Sequence, residues 1–278
     1  MANPFRMPPR TLRRARIYAG RTRALAGGLK KPCLFMHMPK CGGTSLSEAL
    51  YATVPLGQNV AVIDALSTRR AAAIAAFDRN DVATCHEDLE HGDLTFALRE
   101  QLLLTHMAAG ARLIHGHVLY SDAAMRHFGD DYSLVTLLRE PVARAISNFA
   151  MMAGNGFVEP DVDAWLDGPV GRSHATVFLR YLSGQNVVSP ADEGSALDLA
   201  KRRLEKFSVV GFLDDLPQFL DSFTHQFGTR PRIHRYNQAA WPKIQLNAAQ
   251  RTRLEAACAA DTSIYEFARA HFWKDAAA

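Results

Sequence analysis

The chain has 278 residues, 48% of them hydrophobic and 22% charged, an ordinary globular composition with enough length to bury a substantial core. No run of about 18 uncharged apolar residues occurs, so no membrane-spanning helix is expected. The net charge of +4 conceals an asymmetry: residues 1–31 hold seven Arg, two Lys and no acid, which leaves 23 basic residues against 28 acidic ones in the remainder.

This divides the chain into a basic N-terminal arm, 1–31, and one domain, 32–278. The arm is expected to be solvated and poorly ordered. Its charge also suits an anionic membrane surface or another polyanion. It lacks the apolar core of a secretory signal. Cys33, Cys41, Cys85 and Cys258 show neither zinc-ligand nor redox spacing, which points to free thiols in a reducing, cytoplasmic compartment.

Leu34 to Met38 is a short apolar run and reads as a strand. Pro39-Lys40-Cys41-Gly42-Gly43-Thr44-Ser45 follows as a tight polar loop, and Leu46 to Leu50 is helical in pattern. Strand, glycine loop and helix N-terminus together hold a phosphate, because unpaired backbone N–H groups point at the anion. Gly42 and Gly43 allow close approach, Thr44 and Ser45 can cap the helix or donate hydroxyls, and Lys40 adds a positive charge. Cys41 is a candidate reactive thiol. The lysine precedes the glycines, so this is not the usual triphosphate loop. A plain βα turn is the alternative.

Asn59 to Asp64 is short and apolar, and Ser67 can cap a helix to Phe77. Arg69 and Arg70 in its first turn oppose the helix dipole, so other groups are expected to hold them. Asp78 to Asp93 crowds Asp81, His86, Glu87, Asp88, Glu90 and His91 into a polar loop beside a cleft. Solvated side chains are the expectation there; a metal site is the alternative. Leu94 to Met107 is helical in period, and Ala111 to Val118 reads as a buried strand ending in His115-Gly116-His117. Ser121 can cap a short helix to Phe128. Tyr132 to Leu138 is a strand, followed by Arg139-Glu140-Pro141 and a helix from Val142 to Met152. Arg139, Arg144 and Ser147 form a candidate second anion site.

Met151 to Pro169 reads as irregular with Trp165 as an anchor, and His174 to Leu182 as a helix stopped at Gly184. Leu197 to Lys206 is a further helix. Ser208 to Phe212 is a strand, Leu216 to Phe227 an amphipathic helix, Pro231 to Pro242 a basic loop with Tyr236 and Trp241, and 247 to 273 helical. The alternation predicts an α/β domain: a three-layer, mainly parallel sheet flanked by helices.

These motifs, in this order, resemble those of the sulfotransferases that use 3′-phosphoadenosine 5′-phosphosulfate (PAPS), especially the carbohydrate type that includes heparan sulfate 2-O-sulfotransferase. Pro39 to Ser45 is similar to that family's 5′-phosphosulfate loop, and Arg139-Glu140-Pro141 through Ser147 to its 3′-phosphate motif. His115-Gly116-His117-Val118 resembles the segment whose second histidine is the base. Val210-Gly211-Phe212 with Asp214 and Asp215, and Tyr265-Glu266-Phe267 in the last helix, also resemble family segments. Glu140 stands where the family often has Asp, and Gly42-Gly43 replaces the Ser-bearing loop of the animal enzymes, as in a bacterial relative.

The resemblance implies a P-loop-NTPase-like sulfotransferase fold. It implies sulfuryl transfer from PAPS to a hydroxyl of a glycan or glycolipid, leaving adenosine 3′,5′-bisphosphate (PAP). His117 would be the base, with His115 orienting it or the acceptor, and Lys40 would stabilise the leaving group. Residues 40–45 would hold the 5′-phosphate; Arg139 with Ser147 and Arg144 would hold the 3′-phosphate. Neither a metal nor a nucleic-acid partner is implied. The competing readings are an ATP-dependent small-molecule kinase and a non-catalytic binder of polyanions or membrane that uses the basic arm.

Overall fold

The computed structural model describes residues 10–233 and 244–273, with only the backbone given for Gly43 and Thr44. Tyr236, Trp241 and most of the expected basic loop lie outside the described residues. The chain opens with helix α1 (Arg10–Arg23) and a 3-10 turn, Ala24–Ala26. Strand β1 (Cys33–Met36) and helix α2 (Gly43–Tyr51) follow, then β2 (Val60–Ile63), α3 (Ala65–Phe77), α4 (Gly92–Ala108) and β3 (Leu113–Gly116). Next come α5 (Asp122–Phe128), β4 (Ser133–Leu138), α6 (Pro141–Gly154), α7 (Val162–Asp167), α8 (Pro169–Ala175) and α9 (Val177–Ser183). The described residues end with α10 (Glu193–Leu204), β5 (Val209–Phe212), α11 (Leu216–Phe227), α12 (Ala248–Ala257) and α13 (Ala259–Phe272).

The five strands form one sheet in the order β2-β3-β1-β4-β5, and every pairing is parallel. Strand side chains alternate between faces, and the two faces meet different helices. Leu34, Met36, Ile114, Leu134, Leu138 and Phe212 share a core with residues of α4, α9, α10 and α13. Cys33, Phe35, Leu113, Val135, Leu137 and Val209 pack instead with Leu46 and Leu50 of α2 and Phe219, Phe223 and Phe227 of α11. Helices therefore cover both faces, which gives the three-layer α/β arrangement and explains why the strands read as continuous apolar runs.

Four expectations from the sequence change. Asp64, not Ser67, is the N-cap of α3; its carboxylate accepts from the Ser67 N–H at 2.8 Å. The stretch from Met151 to Pro169 contains α7, on which Trp165 is buried against Phe149. The helix expected over His174–Leu182 is broken at Thr176, because the Asp261 carboxylate of α13 accepts from the N–H groups of Phe178 and Leu179, both at 2.9 Å. A buried acceptor from a distant element thus starts α9 afresh, which local sequence does not reveal. The final helical stretch is likewise two helices, α12 and α13, meeting at Cys258.

The basic segment 1–31 is joined to the domain from residue 10 onward. Arg13 pairs with Glu48 of α2. Arg21 donates to the carbonyls of Val54 and Pro55, both at 3.2 Å, and to that of Gln58. Leu29 is buried, and its N–H donates to Thr53 O at 2.8 Å.

Candidate functional site

Ligands of open α/β sheets bind beyond the carboxyl ends of strands, where successive connections diverge. Here β1 lies at the centre, with β3 on one side and β4 on the other. The chain after β1 leads to β2 on one edge, and the chain after β4 leads to β5 on the other. The segments leaving β1, β3 and β4 carry Lys40, His117 and Arg139, so the sheet topology gathers the motifs that sequence order separates.

The loop after β1 is shaped by two left-handed residues, Lys40 with φ 64° and Gly42 with φ 81°. A Cβ on Gly42 would lie 2.5 Å from Cδ1 of Leu213, so both backbone angle and space call for glycine there. Gly42 is also the N-cap of α2 and has no side chain with which to cap it. The N-cap position is therefore Gly42, ahead of Thr44 and Ser45, at the end of the helix where anions bind. The Thr44 side chain lies outside the described residues; Ser45 is half-buried. Cys41 is fully buried, and burial pushes its thiol up to about 12, which makes it inert rather than reactive.

Arg139, just past β4, donates from Nη1 to the carbonyl of Lys40 at 3.2 Å. Both side chains are half-buried. Burial, and then the Arg139 charge, lower the Lys40 pKa; burial first also lowers that of Arg139. Neither has a carboxylate partner among the described residues. The adjacent Glu140 is turned to the helix start, accepting from the N–H groups of Val142 at 2.9 Å and Ala143 at 2.7 Å. Lys40 and Arg139 thus bring two cations together, neither in an ion pair among the described residues, with Glu140 the acid whose charge acts on Arg139. Ser147 lies two turns along α6, half-buried. Arg144 lies deeper, close enough for its charge to act on Arg139 and Cys41. Its side chain is fully buried, donates to His174 O, lies 3.6 Å from the Asp261 carboxylate and packs over Phe178. These contacts give it a structural role, while its Nε and Nη1 find no hydrogen-bond partner among the described residues.

Three histidine rings stack at the β1 and β3 ends, with His37 between His115 at 5.1 Å and His117 at 4.3 Å. The Nδ1 of His117 is 2.8 Å from the carbonyl of His37, so it carries the hydrogen, and the lone pair sits on Nε2. Burial lowers His117 to about 4; Arg99 lowers it further while Glu87 opposes. His115 is engaged otherwise than expected. Its Nε2 contacts Ser47 Oγ at 2.9 Å and His37 Nδ1 at 3.1 Å, and its Nδ1 contacts Tyr51 Oη at 2.6 Å. It touches His117 only through His37. Burial takes His115 to about 3 and holds His37 well below the usual imidazole range.

The loop at 78–93 is solvated at Asp78 and Glu90, as expected, but buries His86 and Glu87. Arg99 is fully buried and donates to His117 O at 3.0 Å, to Thr68 Oγ1 at 2.9 Å and to Ala65 O at 3.3 Å, while pairing with Glu87. Arg69 donates to Glu87 at 2.6 Å, and Arg70 to Asn80, so both arginines in the first turn of α3 are held as expected. Burial alone would raise the Glu87 carboxyl, but Arg99 and Arg69 outweigh it and keep it at about 2. Asp88 is similarly held down against burial by His174 and Arg180. Among the described residues no cluster of His, Cys, Asp and Glu has metal-binding geometry.

The sequence reading missed His37, Ser47, Tyr51 and Arg99. His37 stands directly after the central strand, and that position was the available signal. Ser47 and Tyr51 are four apart on α2 and face His115, a pairing visible only once β1 and β3 are known to be neighbours. No helix among the described residues is long and apolar enough to cross a membrane. No protein-family model and no curated protein matches the chain.

Proposed function

We propose that the chain is a sulfotransferase of P-loop-NTPase-like fold that moves a sulfuryl group from PAPS to a hydroxyl of a carbohydrate or glycolipid. The observation that carries this reading is the link between the two unpaired cations, Arg139 Nη1 to Lys40 O at 3.2 Å, at the ends of adjacent parallel strands. PAPS presents phosphate groups at two separated positions. The start of α2, with glycine at its N-cap, and Lys40 fit the 5′-phosphosulfate, and Arg139 with Ser147 fits the 3′-phosphate. The donor supplies a sulfur activated by a phosphate leaving group.

The residues of the chain would then divide the work. His117 Nε2, its tautomer fixed by His37 O, accepts the acceptor hydroxyl's proton as the new oxygen–sulfur bond forms and the bridging bond breaks. At about 4 it is a weak base by itself, and the negative charge of a bound donor raises it toward neutrality. Lys40 meets the charge that develops on the leaving phosphate oxygen. Arg99, through the His117 carbonyl, holds the base in place from the other side.

Calorimetric titration with PAP and with adenosine 5′-phosphosulfate, which lacks the 3′-phosphate, tests the donor site. PAP is expected to bind more tightly in the wild type, and Arg139→Ala to erase that preference. Equal affinities in the wild type would overturn the assignment of Arg139.

A further inference from the structure

The arginines of α1 sort into two sets. Arg13 and Arg21 face inward and clamp the helix to Glu48 and to the carbonyls of Val54, Pro55 and Gln58. Between them Gly20 permits a close approach, since a Cβ there would lie 2.5 Å from that of Ala52. Arg10, Arg14, Arg16 and Arg23 are exposed. Leu12, Tyr18 and, in the turn that follows, Leu25 are exposed with them, at 43%, 64% and 62%.

At about 100° per residue, the buried side of α1 is centred on Arg13, Ile17, Gly20 and Arg21. The opposite side carries Leu12, Ala15, Tyr18 and Ala19, with Thr11 and Thr22 among them. Arg14 stands at one edge of this face, and Arg16 and Arg23 at the other. No acidic residue occurs anywhere in residues 1–31. A face with Leu12 and Tyr18 exposed among small and hydroxyl residues, edged by Arg14 and by Arg16 and Arg23, suits the interface of an anionic bilayer. There the apolar groups enter the headgroup boundary and the guanidinium groups meet lipid phosphates.

We propose that the outer face of α1 docks the protein on anionic lipid bilayers. Charge complementarity selects this occupant: a cationic face without acids repels a second copy of itself and gains nothing from a neutral surface. The exposed Leu12 and Tyr18 separate lipid from other polyanions, because a soluble polyanion has no hydrocarbon to receive them. The proposal stands independently of the transfer chemistry, since no residue in it belongs to the crevice.

The test is co-sedimentation of the full chain with phosphatidylcholine vesicles, with and without phosphatidylglycerol. Binding is expected only with the anionic lipid and is expected to weaken with salt. Each of Arg14→Gln and Arg23→Gln should weaken binding about fivefold. The pair Leu12→Ser and Tyr18→Ser should weaken it on vesicles while leaving binding to heparin, used as a soluble polyanion, unchanged. All of these positions are exposed, and an unchanged thermal midpoint shows that each variant folds. Failure to sediment with anionic vesicles would overturn the proposal. So would arginine variants that bind as wild type, or a Leu12/Tyr18 variant with undiminished vesicle binding, which would mark a general polyanion site.

Discussion

The Nδ1 of His117 and the carbonyl oxygen of His37, 80 positions apart in the chain, lie 2.8 Å from each other. A carbonyl only accepts, so this contact decides which nitrogen of His117 is free to act as a base. His117→Ala is expected to lower turnover about 10²- to 10⁴-fold while PAP affinity holds. His37→Ala keeps the carbonyl and should lose much less. Steady-state kinetics on the two variants, with calorimetry for PAP, check this; equal losses would show that the His37 ring does more than support the stack.

Burial of the histidine cluster ties stability to pH. An unfolded chain protonates these rings near 6.5, whereas folded His117 takes its proton only near 4 and His115 near 3. Between those limits the unfolded state binds more protons, so stability rises with pH and is lost on acidification from about 6.5 downward. For His117 alone the loss is at most about 3 kcal/mol by pH 4. Denaturant unfolding at several pH values should show this slope, and His117→Gln should flatten it. A variant as acid-sensitive as the wild type would place the titrating groups elsewhere.

Lys40 holds a backbone angle that suits glycine, φ 64°. Lys40→Gly is therefore expected to stabilise the fold by up to about 1 kcal/mol while lowering turnover by about 10²-fold or more. Lys40→Ala should lose the same activity without the gain in stability. Thermal melts set beside kinetics separate the two effects.

Arg139 and Arg144 are five residues apart and differ in kind. Arg144→Ala leaves the buried Asp261 carboxylate without its cation and should destabilise the protein by about 3 to 5 kcal/mol, with the preference for PAP over adenosine 5′-phosphosulfate retained in the molecules that fold. Arg139→Ala should leave stability nearly unchanged and remove that preference. Urea unfolding and calorimetry on both variants would reveal a reversal of these roles.

Much of this arrangement was legible in the sequence where a signal is local. The loop from Pro39 to Ser45 announces itself by two glycines after an apolar run, and α11 matches its apolar period from Leu216 to Phe227. Pro141 marks the start of α6. What stayed hidden depends on partners distant in sequence. Nothing local shows that Arg144 is also held by Asp261 and the His174 carbonyl. Glu87 and Asp88 look solvated until Arg69, Arg99 and Arg180 arrive from three helices. The N-cap of α2 falls on Gly42, because a left-handed glycine does not declare itself against neighbouring Thr and Ser.

The central claim, sulfuryl transfer with His117 as base, is tested most directly by incubating the protein with sulfur-labelled PAPS and a cell extract, and following label into hydroxyl-bearing products. The expected result is a labelled glycan or glycolipid with the wild type, none with His117→Ala, and PAP binding in both. No labelled product from the wild type with any glycan or lipid fraction, or undiminished labelling by His117→Ala, would contradict it.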